Sequence, residues 1–186
     1  MGVNVNQAEL NPLRRQLLAG GIGAALCLPH TAWAARKKKS VVRELAFEHL
    51  HTGEKLRRVY WVDGRYVPEA LNDINHLLRD FRTGEQVAMD PGLLDVLADV
   101  RRYLETKKPL EIISAYRSPQ TNAQLAEESG AVAKRSLHME GKAIDIRIPG
   151  QRLDMIRKVA LAMERGGVGY YPGAFVHLDV GRVRWW

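Results

Sequence analysis

The stretch Ser136-Leu137-His138-Met139-Glu140-Gly141-Lys142-Ala143-Ile144-Asp145 places a histidine, a glycine and an aspartate within ten residues. His138 and Asp145 stand too far apart for one helical turn. The pair therefore belongs either to a metal site or to a capped turn that runs into a strand. From Lys142 to Ile148 polar and apolar residues alternate, which is the period of a strand. Ala143 and Asp145 then share one face, and Ile144 and Ile146 the other.

Downstream, Phe175-Val176-His177-Leu178-Asp179-Val180 alternates in the same way and sets Phe175, His177 and Asp179 on one face. Two such strands can bring Asp145 and His177 together, with His138 folding in from the loop before the first. Two histidines and one carboxylate make a zinc set that leaves a fourth position open to water. Water activated there is a nucleophile near neutrality. The plain alternative is a solvated loop histidine beside a surface aspartate, because ligands scattered this widely are weakly diagnostic. Gly141 suits a turn or a close backbone approach, and Ser136 a local hydrogen bond that braces the loop.

Working outward, Arg43–Glu48 and Arg58–Val62 alternate on either side of the turn His51-Thr52-Gly53-Glu54, which reads as a hairpin. A helix opens at Pro68 with Leu71, Ile74, Leu77, Leu78 and Phe81 on its buried face. Asp90-Pro91 caps a second helix that carries Leu93, Leu94, Leu97, Val100 and Leu104 inward. Leu110–Tyr116 is a strand, and Ser118-Pro119 caps a helix to about Ser129. A last helix with Leu153, Ile156, Val159, Ala160 and Met163 on its apolar face ends at Gly166-Gly167, and Val168–Tyr171 with Ala174–Val180 close the domain as paired strands. The predicted class is α+β, with helices packed on one side of a mixed, mainly antiparallel sheet.

The first residues read differently. Arg14-Arg15 precede an apolar run from Leu17 to Leu28, and Ala32-Trp33-Ala34 follows as a small-residue exit. These features describe a signal peptide over residues 1–34, and the paired arginines point to the twin-arginine route into the periplasm. The apolar run is shorter than the roughly 20 residues that span a bilayer, so a retained anchor is the second reading. Residues 35–40 are a basic tether, and 41–186 form the domain. Cleavage removes Cys27, the only cysteine, and with it any disulfide or thiol nucleophile. The net charge is +7, but no basic helix is interleaved with aromatics. An anionic wall or membrane surface fits better than nucleic acid. A monomer without stable membrane insertion is expected.

Ser136-x-His138-x-x-Gly141-x-Ala143-x-Asp145 matches the S-x-H-x-x-G-x-A-x-D motif of the zinc D-Ala-D-Ala peptidases. That superfamily includes lysostaphin-type enzymes and the hedgehog signalling domain. Ser114-Ala115-Tyr116-Arg117-Ser118 resembles its segment bearing a substrate-binding arginine, and Phe175-Val176-His177 its last ligand strand. With His51-Thr52-Gly53-Glu54 and Arg79-Asp80-Phe81-Arg82-Thr83-Gly84 included, the chain looks like the MepK branch. Those are exported murein endopeptidases that cut peptide cross-links of peptidoglycan, including links between two diaminopimelate residues.

The resemblance implies a hedgehog/D-Ala-D-Ala peptidase-like fold and zinc on His138, Asp145 and His177. It also implies that Arg117 faces the substrate, to stabilise an oxyanion or pair with a carboxylate. A D,D-carboxypeptidase acting on stem peptides and a zinc-stabilised peptidoglycan-binding module without turnover stay open. One departure bears on mechanism. Many relatives carry a glutamate or histidine two or three residues before the last ligand, where this chain has Phe175 and Ala174. Asp179 is the candidate in their place, either as general base or as the partner that orients His177. Tyr170 and Tyr171 are candidate oxyanion donors. Glu140 reads as a solvated loop charge, Arg147 and Arg182 have no assignment, and His49, His51 and His76 read as structural.

Overall fold

The computed structural model describes residues 40–129, 133 and 135–186. The expected signal peptide, and the tether up to Lys39, lie outside them. β1 (Val42–His49) and β2 (Lys55–Val62) form the expected antiparallel hairpin. With β3 (Arg65–Tyr66), β4 (Leu110–Ser114), β5 (Ala143–Arg147), β6 (Gly167–Tyr171), β7 (Phe175–Asp179) and β8 (Arg184–Trp185) they build one sheet, ordered β3-β2-β1-β4-β5-β7-β6-β8. The β1–β4 and β6–β8 pairs are parallel and the others antiparallel, so the sheet is mixed and mainly antiparallel. β3 and β8 are two residues each, too short to imprint a period on the sequence.

The helices are α1 (Pro68–Leu77), α2 (Pro91–Tyr103), α3 (Pro119–Ser129) and α4 (Leu153–Met163). Both expected caps are made. Asp90 Oδ1 accepts from the Gly92 amide at 2.8 Å, and Ser118 Oγ from the Thr121 amide at 3.1 Å. Leu93 and Leu97 of α2 and Ile156 of α4 meet Phe47, Ile144 and Val176 of the sheet in one buried core. Burying each such side chain is worth roughly 1.5–3 kcal/mol, so this face carries the stability. The opposite face of β5 and β7 carries the polar side chains Asp145, His177 and Asp179.

The sequence pattern overruns α1. The apolar spacing continues to Phe81, yet the helix stops at Leu77, and Leu78 caps it. Asp80 turns the chain away: its carboxylate accepts the Arg82 amide at 3.0 Å, and its carbonyl the Gly84 amide at 2.8 Å. Phe81 consequently leaves the helix line and stacks on His51, ring centroids 4.3 Å apart.

Candidate metal centre

β5 and β7 pair in a register that sets Asp145 directly opposite His177. Ile144, Ile146, Val176 and Leu178 turn into the core, so the alternation sends Asp145, His177 and Asp179 to the other face. His138 arrives on a 3₁₀ turn, Leu137–Glu140. Ser136 Oγ accepts from the His138 amide at 3.3 Å, the local bond expected of it. Gly141 closes the turn at φ 66°. A Cβ there would stand 2.7 Å from the Ala88 carbonyl oxygen, so only glycine fits.

His138 Nε2 lies 3.3 Å from Asp145 Oδ1 and 3.2 Å from His177 Nδ1, and His177 Nδ1 lies 2.8 Å from Asp145 Oδ1. The outer ring nitrogens are engaged from behind. His138 Nδ1 is 2.6 Å from the Ala115 carbonyl oxygen, and His177 Nε2 is 3.1 Å from Asp179 Oδ2. A carbonyl only accepts, so His138 carries its proton on Nδ1 and turns a lone pair inward. With a cation on His177 Nδ1, the Asp179 carboxylate would accept the proton carried by Nε2. Ligands at 2.0–2.1 Å around a tetrahedral zinc stand about 3.3–3.4 Å from one another. Two of the three separations fit this closely, and the third opens by about half an ångström. The donor set fits a zinc-sized cation.

Burial pushes the His138 imidazole down. It acts on His177 in the same sense, but Asp145 and Asp179 outweigh it and raise that imidazole. For Asp145 burial works upward, and the two histidines override it, holding the carboxyl well below its usual range. A cleft of about 430 Å³ opens over the three side chains, walled in part by His51, Arg82, Arg117, Tyr171, Phe175 and Trp186.

Asp179 is 2 % exposed, and both its oxygens are occupied. Oδ1 accepts from the amides of Gly167 (2.9 Å) and Gly181 (2.8 Å) and from Arg184 (3.0 Å). Oδ2 accepts from Arg184 at 2.6 Å and faces His177. A Cβ on Gly167 would overlap Asp179 and Arg184. Burial would raise the Asp179 carboxyl, but His177, Arg184 and the two amides hold it far below the carboxylate range. So engaged, it takes up a proton reluctantly and is not among the side chains walling the cleft. Of its two roles read from sequence, the geometry favours orienting His177.

Arg117 walls the cleft, and its amide donates to the His138 carbonyl at 3.2 Å. Its Nη2 stands 3.7 Å from Asp145 Oδ2, a long pairing, and its buried Nε has no partner among the described residues. Burial lowers this guanidinium despite Asp145. Behind it lies Asp80, 1 % exposed, whose Oδ2 accepts the Ser118 amide at 2.9 Å while Oδ1 holds the Arg82 amide. Burial works to raise Asp80, but bonds from Thr121, Ser118 and Arg82 bring it from 3.8 to about 2. That depression contributes about 2 kcal/mol of stability above the ordinary aspartate range. The contribution is lost as pH falls toward 2.

The sequence reading missed three parts of this cleft. His51 joins the cleft wall: the Leu50 amide donates to the Ile112 carbonyl at 3.0 Å, continuing β1 along β4. Arg82 follows the loop that Asp80 folds. Trp186 lies 5.2 Å from His177, ring to ring, and its Nε1 donates to the Tyr171 hydroxyl at 3.0 Å. Of the two tyrosines, only Tyr171 walls the cleft, and Arg147 and Arg182 do not. Glu140 pairs with Lys142 at 2.8 Å on the surface, as expected. His49 is buried and accepts the His51 amide at Nδ1, and His76 is exposed on α1. No helix among the described residues is long and apolar enough to cross a membrane.

The sequence profile of the family described as peptidoglycan L,D-endopeptidase MepK matches residues 37–186. The chain is 46% identical over 178 residues to the peptidoglycan L,D-endopeptidase MepK of Escherichia coli strain K12, an alignment covering 93% of this chain and 96% of that one. It is 36% identical over 175 residues to the probable peptidoglycan L,D-endopeptidase MepK of Haemophilus influenzae, covering 93% and 94%. The matched range takes in every strand of the sheet and all three converging side chains, and the chain belongs to the peptidoglycan L,D-endopeptidase MepK family.

Proposed function

We propose that this MepK-family enzyme is a zinc-dependent murein endopeptidase that hydrolyses peptide cross-links of peptidoglycan in the periplasm. The reading is carried by the convergence of His138 Nε2, Asp145 Oδ1 and His177 Nδ1 on the floor of an open cleft. A set of two imidazoles and a carboxylate suits zinc. When bound there, zinc supplies Lewis acidity toward a peptide carbonyl and lowers the pKa of an attacking water. The Ala115 carbonyl and Asp179 hold the two imidazoles in the tautomers this needs. Arg117 offers N–H donors to the oxyanion that develops on the carbonyl. His51, the cleft imidazole that is not in the ligand set, moves the proton from the water to the leaving amine.

Residues 1–34 direct export by the twin-arginine route, and residues 35–40 tether a monomeric domain. N-terminal sequencing of the exported protein is expected to begin at Ala35, and an intact N-terminus would make the segment an anchor instead.

The activity is tested on sacculi that contain both types of cross-link. The purified enzyme is expected to convert cross-linked dimers to monomers, to stop in a chelator and to resume with zinc. Shortened monomers with intact dimers would make it a D,D-carboxypeptidase. Retention on sacculi with no soluble product would make it a binding module. Undiminished release in the chelator would remove the metal from the mechanism.

A further inference from the structure

Arg82 has no role in the chemistry above, yet it is built into the cleft. Its guanidinium lies over the Phe81 ring, 4.3 Å from the centroid, and Phe81 in turn stacks on His51. It forms no ion pair among the described residues. Arg117 shares the same cleft. The one carboxylate walling this cleft, Asp145, is committed to the two histidines.

The backbone at Arg82 and the backbone next to Arg117 are held together by one buried side chain. Asp80 Oδ1 accepts the Arg82 amide at 3.0 Å, and Oδ2 accepts the amide of Ser118, next to Arg117, at 2.9 Å. The Arg117 amide bonds onward to the His138 carbonyl at 3.2 Å. Arg82 is thus tied through backbone bonds to the turn that carries a metal ligand. Two cations that share a cleft whose one carboxylate is already engaged favour an anion between them.

We propose that Arg82 is a specificity-determining residue that pairs with a free carboxylate of the cross-linked peptide, in the cleft that holds the metal centre. The proposal rests on the endopeptidase reading and names what part of the cross-link is read. Where two diaminopimelate residues are joined, the residue on the amine side keeps a free carboxylate next to the scissile bond, and amidation removes its charge.

The test compares muropeptide dimers whose diaminopimelate carboxylates are free or amidated, with wild type, Arg82→Gln and Arg82→Lys. Wild type is expected to favour the free dimer. Arg82→Gln is expected to lose about 10- to 100-fold in kcat/KM on the free dimer, through KM. On the amidated dimer it is expected to change by less than about twofold. Arg82→Lys keeps part of the preference, since lysine retains the charge without the planar fork. Equal losses on both dimers, or none on either, would overturn the proposal. A wild type that releases nothing from either dimer would overturn the endopeptidase reading, and this proposal with it.

Discussion

His138→Ala is expected to lose both its zinc and its murein hydrolysis, by on the order of 10⁴-fold or more in kcat. His138 is 1 % exposed and supplies one of three inward lone pairs. Without it two protein ligands are left, one of them a carboxylate. The variant also abandons the Ala115 carbonyl oxygen at the back of the ring, which leaves a buried acceptor unpaired. His138→Gln fills more of the same space and checks that the loss is not one of folding. Asp179→Asn provides the graded comparison. It keeps the shape but gives an amide where Arg184 and His177 both need an acceptor. A weakening of metal binding of about 10- to 100-fold is expected from disturbing such a partner. Bound zinc, measured by elemental analysis, and muropeptide release should fall together in this order. A metal-free His138→Ala that still releases muropeptides at the wild-type rate would sink the metal mechanism. An Asp179→Asn that binds zinc normally but is inactive would return the general base to Asp179.

The shared face of Asp145 and His177 was legible because strand alternation is a strong signal. The faces assigned to Asp145 and His177 follow from the period alone, and the register then sets the two opposite each other. Register itself is not written in either strand, and the place of β5 between β4 and β7 came only with the fold. The cleft walls were harder to read. His51 enters through a turn, where no periodicity marks a direction. Arg82 owes its place to Asp80, a residue whose carboxylate bonds amides on both sides of a long sequence gap. Asp179 shows the opposite limit: alternation put it on the correct face, but the partners that suppress its basicity, Arg184 and the amides of Gly167 and Gly181, lie outside its own strand. A carboxylate's role depends on what already occupies its oxygens, and one strand's sequence does not carry that.

The proton carrier is therefore the part of the site that mutation must settle, and His51→Ala is expected to lower kcat by about 10²–10⁴-fold while zinc stays bound. His51 is outside the ligand group; the rings of His49 and Phe81 stand against it, and Arg82 and Arg117 share its cleft. Loss of a proton carrier and loss of a wall residue both slow turnover, so rate alone does not separate them. Added imidazole does, because a diffusible base restores proton transfer in the space the side chain vacated and does nothing for a merely loosened loop. Arg117→Ala is the natural control. Removing an oxyanion donor costs on the order of 10²–10³-fold, and its rescue calls for guanidinium rather than imidazole. Each variant is expected to respond to its own small molecule and not to the other's, with KM little changed for His51→Ala. If imidazole leaves His51→Ala slow while zinc remains bound, proton transfer passes to Tyr171, a cleft phenol outside the ligand set.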